Sequence, residues 1–246
     1  MDTRAQGGGI GRPILAAAAF LTRLPIDRRG VVGPADIARG VVVFPVVGAL
    51  VGAAAAGVAW TLGLAFPAGV AAVGAVAVEL ILTGGLHVDG LSDTCDGYGG
   101  ATRERALEIM RDHSIGTYGA AAIVVDLLLK TVVIAGLLDR SGGLWTLVAA
   151  GAVSRAIVGV LGTVAPYARP SGGIGAVLSD HGRPARAAGA VVLGVAIASA
   201  TVAAAGVAGV WMWRCRRRLG GMTGDTLGAT VEGTQALVLL VGLAFR

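Results

Sequence analysis

The chain is short of charge. Asp, Glu, Lys and Arg make up 14% of its 246 residues, against roughly 25% in an ordinary soluble domain. Aromatic residues are scarcer still, at 4%, and Lys130 is the sole lysine among 20 basic residues. So little polar material cannot cover a core of this size with a wetted surface, which excludes a soluble globular domain. The two cysteines, Cys95 and Cys215, lie far apart beside charged residues, and this excludes a disulfide scaffold. A net charge of +5, scattered along the chain, is too weak a signal for nucleic acid. The segment 1–12 is glycine-rich without a cleavable apolar core, so it does not read as a secretory signal. The phosphate loop GxxxxGK[ST], HExxH, CxxC and GxSxG are all missing.

What is abundant is apolar. Hydrophobic residues supply 55% of the chain, glycine supplies 41 residues without a three-residue period, and the mean hydropathy is +0.77. This composition predicts an all-α, polytopic membrane bundle forming one domain over residues 1–246. A crossing needs about 20 mostly apolar residues. Segments 41–66, 68–86, 115–138, 144–165, 187–213 and 226–245 meet that need. They give six transmembrane helices, or seven if 187–213 turns back on itself. Residues 14–21 are too short to cross and read as an interfacial or re-entrant segment.

Arginine placement sets the orientation, because short cytoplasmic loops carry the excess of Lys and Arg. Six arginines precede residue 41, three lie at 103–111 and three at 169–186. The N-terminus, the 87–114 stretch and the 166–186 stretch are therefore predicted on the cytoplasmic side of a bacterial inner membrane. A single crossing by 187–213 would put Arg214, Arg216, Arg217 and Arg218 outside. An in-and-out hairpin removes that conflict and is the favoured reading. Gly48 and Gly52 form a GxxxG pair, which predicts close helix packing.

Chemistry concentrates in His87–Gly97. Asp89, Asp93 and Asp96 are spaced 4 and 3 apart, so on a helix they fall within about 60° of one another. Three anions beside apolar spans repel unless a cation joins them. Hard oxygen ligands favour Mg²⁺ or Mn²⁺ over zinc, with a substrate phosphate completing the shell. Gly84, Gly85, Gly90 and Gly97 bracket the acids and permit close backbone approach to a ligand. The bland alternative, a solvated acidic loop, fits poorly beside membrane spans. Asp225 and Glu232 form a second acidic pair on one helix face, and Glu232 sits in an apolar run where an unpaired carboxylate is costly. Thr223 is a substrate contact or a helix N-cap. His87 is a candidate base or partner to the acids. Arg103, Arg105, Arg111 and the 214–218 cluster are either phosphate contacts or topology signals. Asp126 and Lys130, at i and i+4, form a possible intramembrane pair.

The run Leu82–Gly97 closely resembles the signature of the adenosylcobinamide-GDP ribazoletransferase (cobalamin synthase) family. Four further stretches agree in order: Phe20–Pro25, Val43–Gly48, Leu107–Gly119 and Leu219–Ala229. The resemblance covers essentially the whole chain. It implies a membrane-embedded, Mg²⁺-dependent enzyme late in vitamin B12 assembly. Such enzymes join adenosylcobinamide-GDP to α-ribazole or its 5′-phosphate and release GMP. By that resemblance Asp89, Asp93 and Asp96 hold Mg²⁺ on the pyrophosphate. Asp225 and Glu232 complete the metal shell or deprotonate the attacking hydroxyl, and Arg103, Arg105 and Arg111 take the phosphates. Two features depart from the family pattern. The apolar stretch before Gly220 is short, and Gln235 stands where a second acid often follows Glu232.

Three rival readings remain at this level. Intramembrane charges at Glu79, Asp126, Lys130, Arg155 and Glu232 also describe a cation-coupled transporter. A CDP-alcohol-type phosphotransferase also clusters aspartates on membrane helices, at a different spacing. A purely structural subunit leaves the three aspartates unexplained.

Overall fold

The computed structural model describes residues 11–27, 30–169, 172, 175–197 and 201–245. Residues 1–10, Arg28 and Arg29, which entered the signal and orientation arguments, lie outside the described residues, as do 198–200 within the 187–213 run. Every regular element among the described residues is a helix. The order is α1 (Gly11–Leu21), α2 (Pro34–Gly40), α3 (Phe44–Gly63), α4 (Ala68–Thr83), α5 (Leu86–Tyr98) and α6 (Arg103–Ile109). Then come α7 (Thr117–Leu138), α8 (Gly143–Val164), α9 (Ala176–His181), α10 (Pro184–Ile197), α11 (Thr201–Leu219) and α12 (Gly224–Ala244).

Among the described residues four stretches are long and apolar enough to cross a membrane: Pro34–Gly63, α7, α8 and α12. α4 makes a fifth only when joined to α5, from which it is bent by 89°. The count falls short of the six or seven read from the sequence, and the reason is local. Gly84 and Gly85 take φ of +62° and +69°, a backbone that only glycine adopts cheaply. They stop α4 and swing α5, with its three acids, across the end of the bundle rather than through it. The 187–213 run is two helices instead of one: α10 has 14 residues, and α11 ends on Arg216, Arg217 and Arg218.

The two helices leave and return to one end of the bundle. Met222 N donates to Pro166 O at 2.8 Å and Ala168 N donates to Met222 O at 2.7 Å, so the exit of α8 lies beside the entry of α12. The intervening chain must therefore go out and come back, as the arginine distribution requires. Arg218 donates to the Gly100 carbonyl, and Tyr98 stacks on Trp211 with ring centroids 5.7 Å apart. The arginine cluster thereby sits at the same end as α5 and α6.

At the centre is α8, packed by α3, α10 and α12. A Cβ on Gly48 would lie 2.1 Å from Gly151 O, and one on Gly52 2.4 Å from Leu147 O. The GxxxG pair thus lets the backbones of α3 and α8 touch. Without a hydrophobic drive between helices in lipid, such close approach is a main source of association.

The intramembrane charges are paired. Buried Arg155 reaches Glu79 at 3.3 Å and the Gln235 side-chain carbonyl at 3.1 Å. The Gln235 amide in turn donates to both Glu79 oxygens, at 2.8 and 2.7 Å. An acid at position 235 could not donate those bonds while ionised. Lys130 donates to Glu232 and lies 3.0 Å from Asp126. These two clusters bind α4 to α8 and α12, and α7 to α12.

Candidate active site

The site forms where α5 lies across the N-terminal ends of α7 and α12. Its contact with α12 is close because both helices offer glycine there. A Cβ on Gly90 would lie 2.8 Å from Asp225 O, and one on Gly228 would lie 3.3 Å from His87 O. Asp89 and Asp93 are thus held beside Asp225 in the first turn of α12. Thr223 caps that helix: its Oγ1 accepts from Thr226 N at 3.1 Å, and Thr226 Oγ1 accepts from Thr223 N at 2.8 Å. Capped, the helix end also favours a carboxylate through its dipole.

Electrostatics around Asp93 record the crowding. Burial, then the Asp89 and Asp225 carboxylates, push its carboxyl up to about 7, with Arg169 opposing. Arg169 donates to Asp225 Oδ2 at 2.5 Å and to Met110 O at 3.3 Å. Asp96 has a different engagement. Its two oxygens accept from Gly116 N at 2.8 Å and Gly119 N at 2.9 Å, so it caps the start of α7.

A cavity of about 500 Å³ opens beside these groups, with Asp89, Asp225, Arg169 and His87 in its wall. Its polarity falls off inward. Along α12 the wall runs from Asp225 through Leu227 to Val231, and from Arg23, just past the end of α1, back through Phe20 to Ala16 within it. His87 is 4% exposed, and its Nδ1 has no hydrogen-bond partner.

The remaining residues singled out in the sequence lie elsewhere. Arg103 donates to Ala168 O at 3.1 Å and lies against Gly220, so it ties two loops together. Arg105 pairs with Glu108 on the exposed face of α6. Arg111 is exposed at the end of the α6 turn. Gly85 starts α5, and Gly97 packs where a Cβ would lie 2.5 Å from Met110 Cγ. Thr223 is wholly buried and serves the cap. Glu232 is 4% exposed, two helical turns below Asp225, and does not line the cavity. Arg169 was read in the sequence only as an orientation signal. Its position in the loop after α8 gives no hint that it folds onto Asp225, 56 residues on.

Among the described residues no three His, Cys, Asp or Glu side chains converge tightly enough to hold a metal as they stand. The donor chemistry nonetheless fits a hard divalent cation. Asp89, Asp93 and Asp225 present oxygen alone, and their mutual repulsion is what a cation would relieve. Mg²⁺ usually takes one or two carboxylates and fills its shell with water and substrate phosphate, so a loose protein set suits it.

The family model described as cobalamin-5-phosphate synthase matches residues 13–243. The chain belongs to the cobalamin-5-phosphate synthase family. The match runs from the first described helix to the end of α12, so it takes in every element that builds the site. A Klebsiella pneumoniae (strain 342) protein named adenosylcobinamide-GDP ribazoletransferase is 38% identical over 93% of this chain and 98% of its own. Proteins of the same name from Pseudomonas entomophila (strain L48) and Escherichia coli (strain K12 / DH10B) are 39% and 38% identical, over 94% and 92% of this chain and 98% and 96% of theirs. No solved structure matches the chain.

Proposed function

We propose that this cobalamin-5-phosphate synthase family member joins adenosylcobinamide-GDP to α-ribazole or α-ribazole 5′-phosphate, releasing GMP and forming adenosylcobalamin or its 5′-phosphate. The observation that carries the reading is the meeting of Asp89 on α5 with Asp225 and Arg169 in the wall of one cavity, with Asp93 close enough to feel all three charges. Family membership over nearly the whole chain supports it independently.

A ribose hydroxyl oxygen of the ribazole attacks the phosphorus that stays with the cobinamide. The bond from that phosphorus to the bridging oxygen breaks, GMP leaves with the electron pair, and the hydroxyl proton passes to a carboxylate. Such transfers gain mainly from positioning and charge stabilisation. Asp89, Asp93 and Asp225 are the residues that would hold Mg²⁺, which when bound would supply positive charge for the pyrophosphate and the departing GMP. Arg169 adds a fixed donor at the same place, and Asp225 is within reach of it to orient both. Asp96 acts through position, by fixing α5 against α7. His87 borders the cavity rather than the acids. Arg103 holds the loops that carry Arg169 and the α12 cap.

The face carrying α5, α6 and the arginines of α11 is the cytoplasmic one, by the positive-inside rule. Nucleotide substrates and Mg²⁺ are available there.

The test is turnover by the purified protein in liposomes with Mg²⁺, adenosylcobinamide-GDP and α-ribazole 5′-phosphate, following GMP and the corrinoid product. Product is expected from the wild type and is lost with EDTA or with Asp93→Asn. Product that survives Asp93→Asn removes the acidic cluster from the reaction. Folded wild-type protein that yields no product removes the reaction itself.

A further inference from the structure

Two substrates of very different size must reach one acidic cluster, and the cavity can seat only part of them. At about 500 Å³ it lies in the lower half of the range for small-ligand sites, roughly 300–1,000 Å³. That space suits a bicyclic aromatic base with its ribose. A corrin ring with its amide side chains is far too large.

The polarity gradient gives the direction of entry. Val231 lies six residues beyond Asp225 on α12, so the apolar end is about 9 Å deeper than the carboxylate. Phe20, Val158, Leu227 and Val231 make the inner wall. An apolar ring sits well there, while a phosphate stays at Asp225 and Arg169. Of the polar side chains in the wall beside these apolar residues, Thr22 is bonded to the Ala18 carbonyl, and His87 is not bonded at Nδ1. His87 borders the cavity and is 4% exposed. A buried polar atom without a partner is costly, and an imidazole not held by a bond there can turn about its Cβ–Cγ bond to present a nitrogen.

We infer that this cavity seats the dimethylbenzimidazole ring of the ribazole acceptor, with His87 donating an N–H to the ring nitrogen that carries a free lone pair. The inference rests on the function proposed above. The ring points inward, the ribose lies at the mouth beside Asp89 and Asp225, and the corrinoid of the donor stays outside. Specificity for the lower base is then set by the fit of α1, α8 and α12 around the ring.

The full-length protein in liposomes tests this. Free 5,6-dimethylbenzimidazole competes with α-ribazole 5′-phosphate and does not compete with adenosylcobinamide-GDP. Ala19→Phe and Val158→Phe fill the cavity from two different helices. Each raises KM for α-ribazole 5′-phosphate by about tenfold or more, the loss of roughly 1.4 kcal/mol, and leaves KM for adenosylcobinamide-GDP nearly unchanged. Wild type binds 5,6-dimethylbenzimidazole about tenfold more tightly than 5,6-dimethylindole, which lacks the ring nitrogen, as expected for one buried hydrogen bond. His87→Ala erases that preference. Competition of the free base with the donor, or a KM effect confined to the donor, overturns the inference. If wild type makes no product, the proposed reaction fails. Equilibrium binding of α-ribazole 5′-phosphate to wild type and the two Phe variants then still decides the cavity: weakened binding supports the seat, and unchanged binding removes it.

Discussion

Replacing Lys130 by methionine removes one charge and little volume, yet it leaves two carboxylates buried without a cation. The Lys130, Glu232 and Asp126 side chains are 3%, 5% and 8% exposed. Lys130 hydrogen-bonds Glu232, while Asp126 Oδ2 lies at 3.0 Å with no aligned hydrogen bond. Removing one member of a buried pair costs about 3–5 kcal/mol, because the partner's charge stays behind. Lys130→Met should therefore destabilise by about 3–5 kcal/mol. Glu232→Gln should cost less, since Lys130 retains Asp126. The double variant should cost less than the sum of the two, because two groups in contact are not additive. Reversible unfolding in detergent micelles, followed by tryptophan fluorescence, measures all three. The same series separates an anchor from a reacting group. Glu232→Gln, assayed below its melting temperature, should keep turnover within a few-fold of wild type. Full stability with abolished turnover would refute the reasoning and return Glu232 to the chemistry.

Other consequences are equally direct. Gly90→Val puts side-chain atoms where even a Cβ lies 2.8 Å from Asp225 O; α5 must move off α12, and a displacement of about 1 Å costs around 100-fold in kcat/KM. Arg169→Ala should lower turnover by a hundredfold or so, whereas Arg105→Ala, whose side chain is 60% exposed and pairs with Glu108, should leave it near wild type. Asp93 holds its proton up to about pH 7 in the folded protein, above its unfolded value. The metal-free protein should then lose stability as pH rises from about 4 to 7, because the unfolded chain releases that proton first. Mg²⁺ affinity should rise over the same range, since the metal competes with the proton; a pH-independent affinity, measured by isothermal titration, would count against Asp93 as a ligand.

Much of this architecture was legible from composition and period. Hydropathy located four of the six long apolar runs as helices long enough to cross, because a bilayer admits few other solutions, and arginine placement favoured a return of 187–213 to the end of the bundle it leaves. The three aspartates share one helix face because their spacing is helical, and α5 is a helix. What the sequence could not give was the partner of each group. Asp96 shares a helix face with Asp89 and Asp93, yet the start of α7 claims its oxygens, a contact set by the 89° turn at Gly84 and Gly85. Glu232 shares a face with Asp225, but the same face continues down the bundle and meets Lys130, 102 residues earlier. Arg169 carried no local mark at all. Periodicity reports which side of a helix a residue occupies, and it is silent on what lies opposite.

Depth along α12 explains why one helix can serve two purposes without conflict. Asp225 stands in its capped first turn, where the cavity opens. Glu232 lies seven residues on, about 10 Å deeper, in a stratum where an unpaired carboxylate is not tolerated. Its bond to Lys130 fixes α12 against α7, and Asp96 fixes α5 against the upper end of the same α7. The distance between Asp93 and Asp225 is set by the direct contact of α5 with α12 at Gly90 and Gly228, and α7 braces both helices in that contact. A change at Lys130 mild enough to leave the protein folded should accordingly appear as weaker Mg²⁺ binding, although no atom of Lys130 reaches the site. Restoring the pair in swapped order, with Lys130→Glu and Glu232→Lys together, should recover part of that affinity. Recovery of stability without affinity would show that bracing by α7 has no bearing on the spacing of the acids.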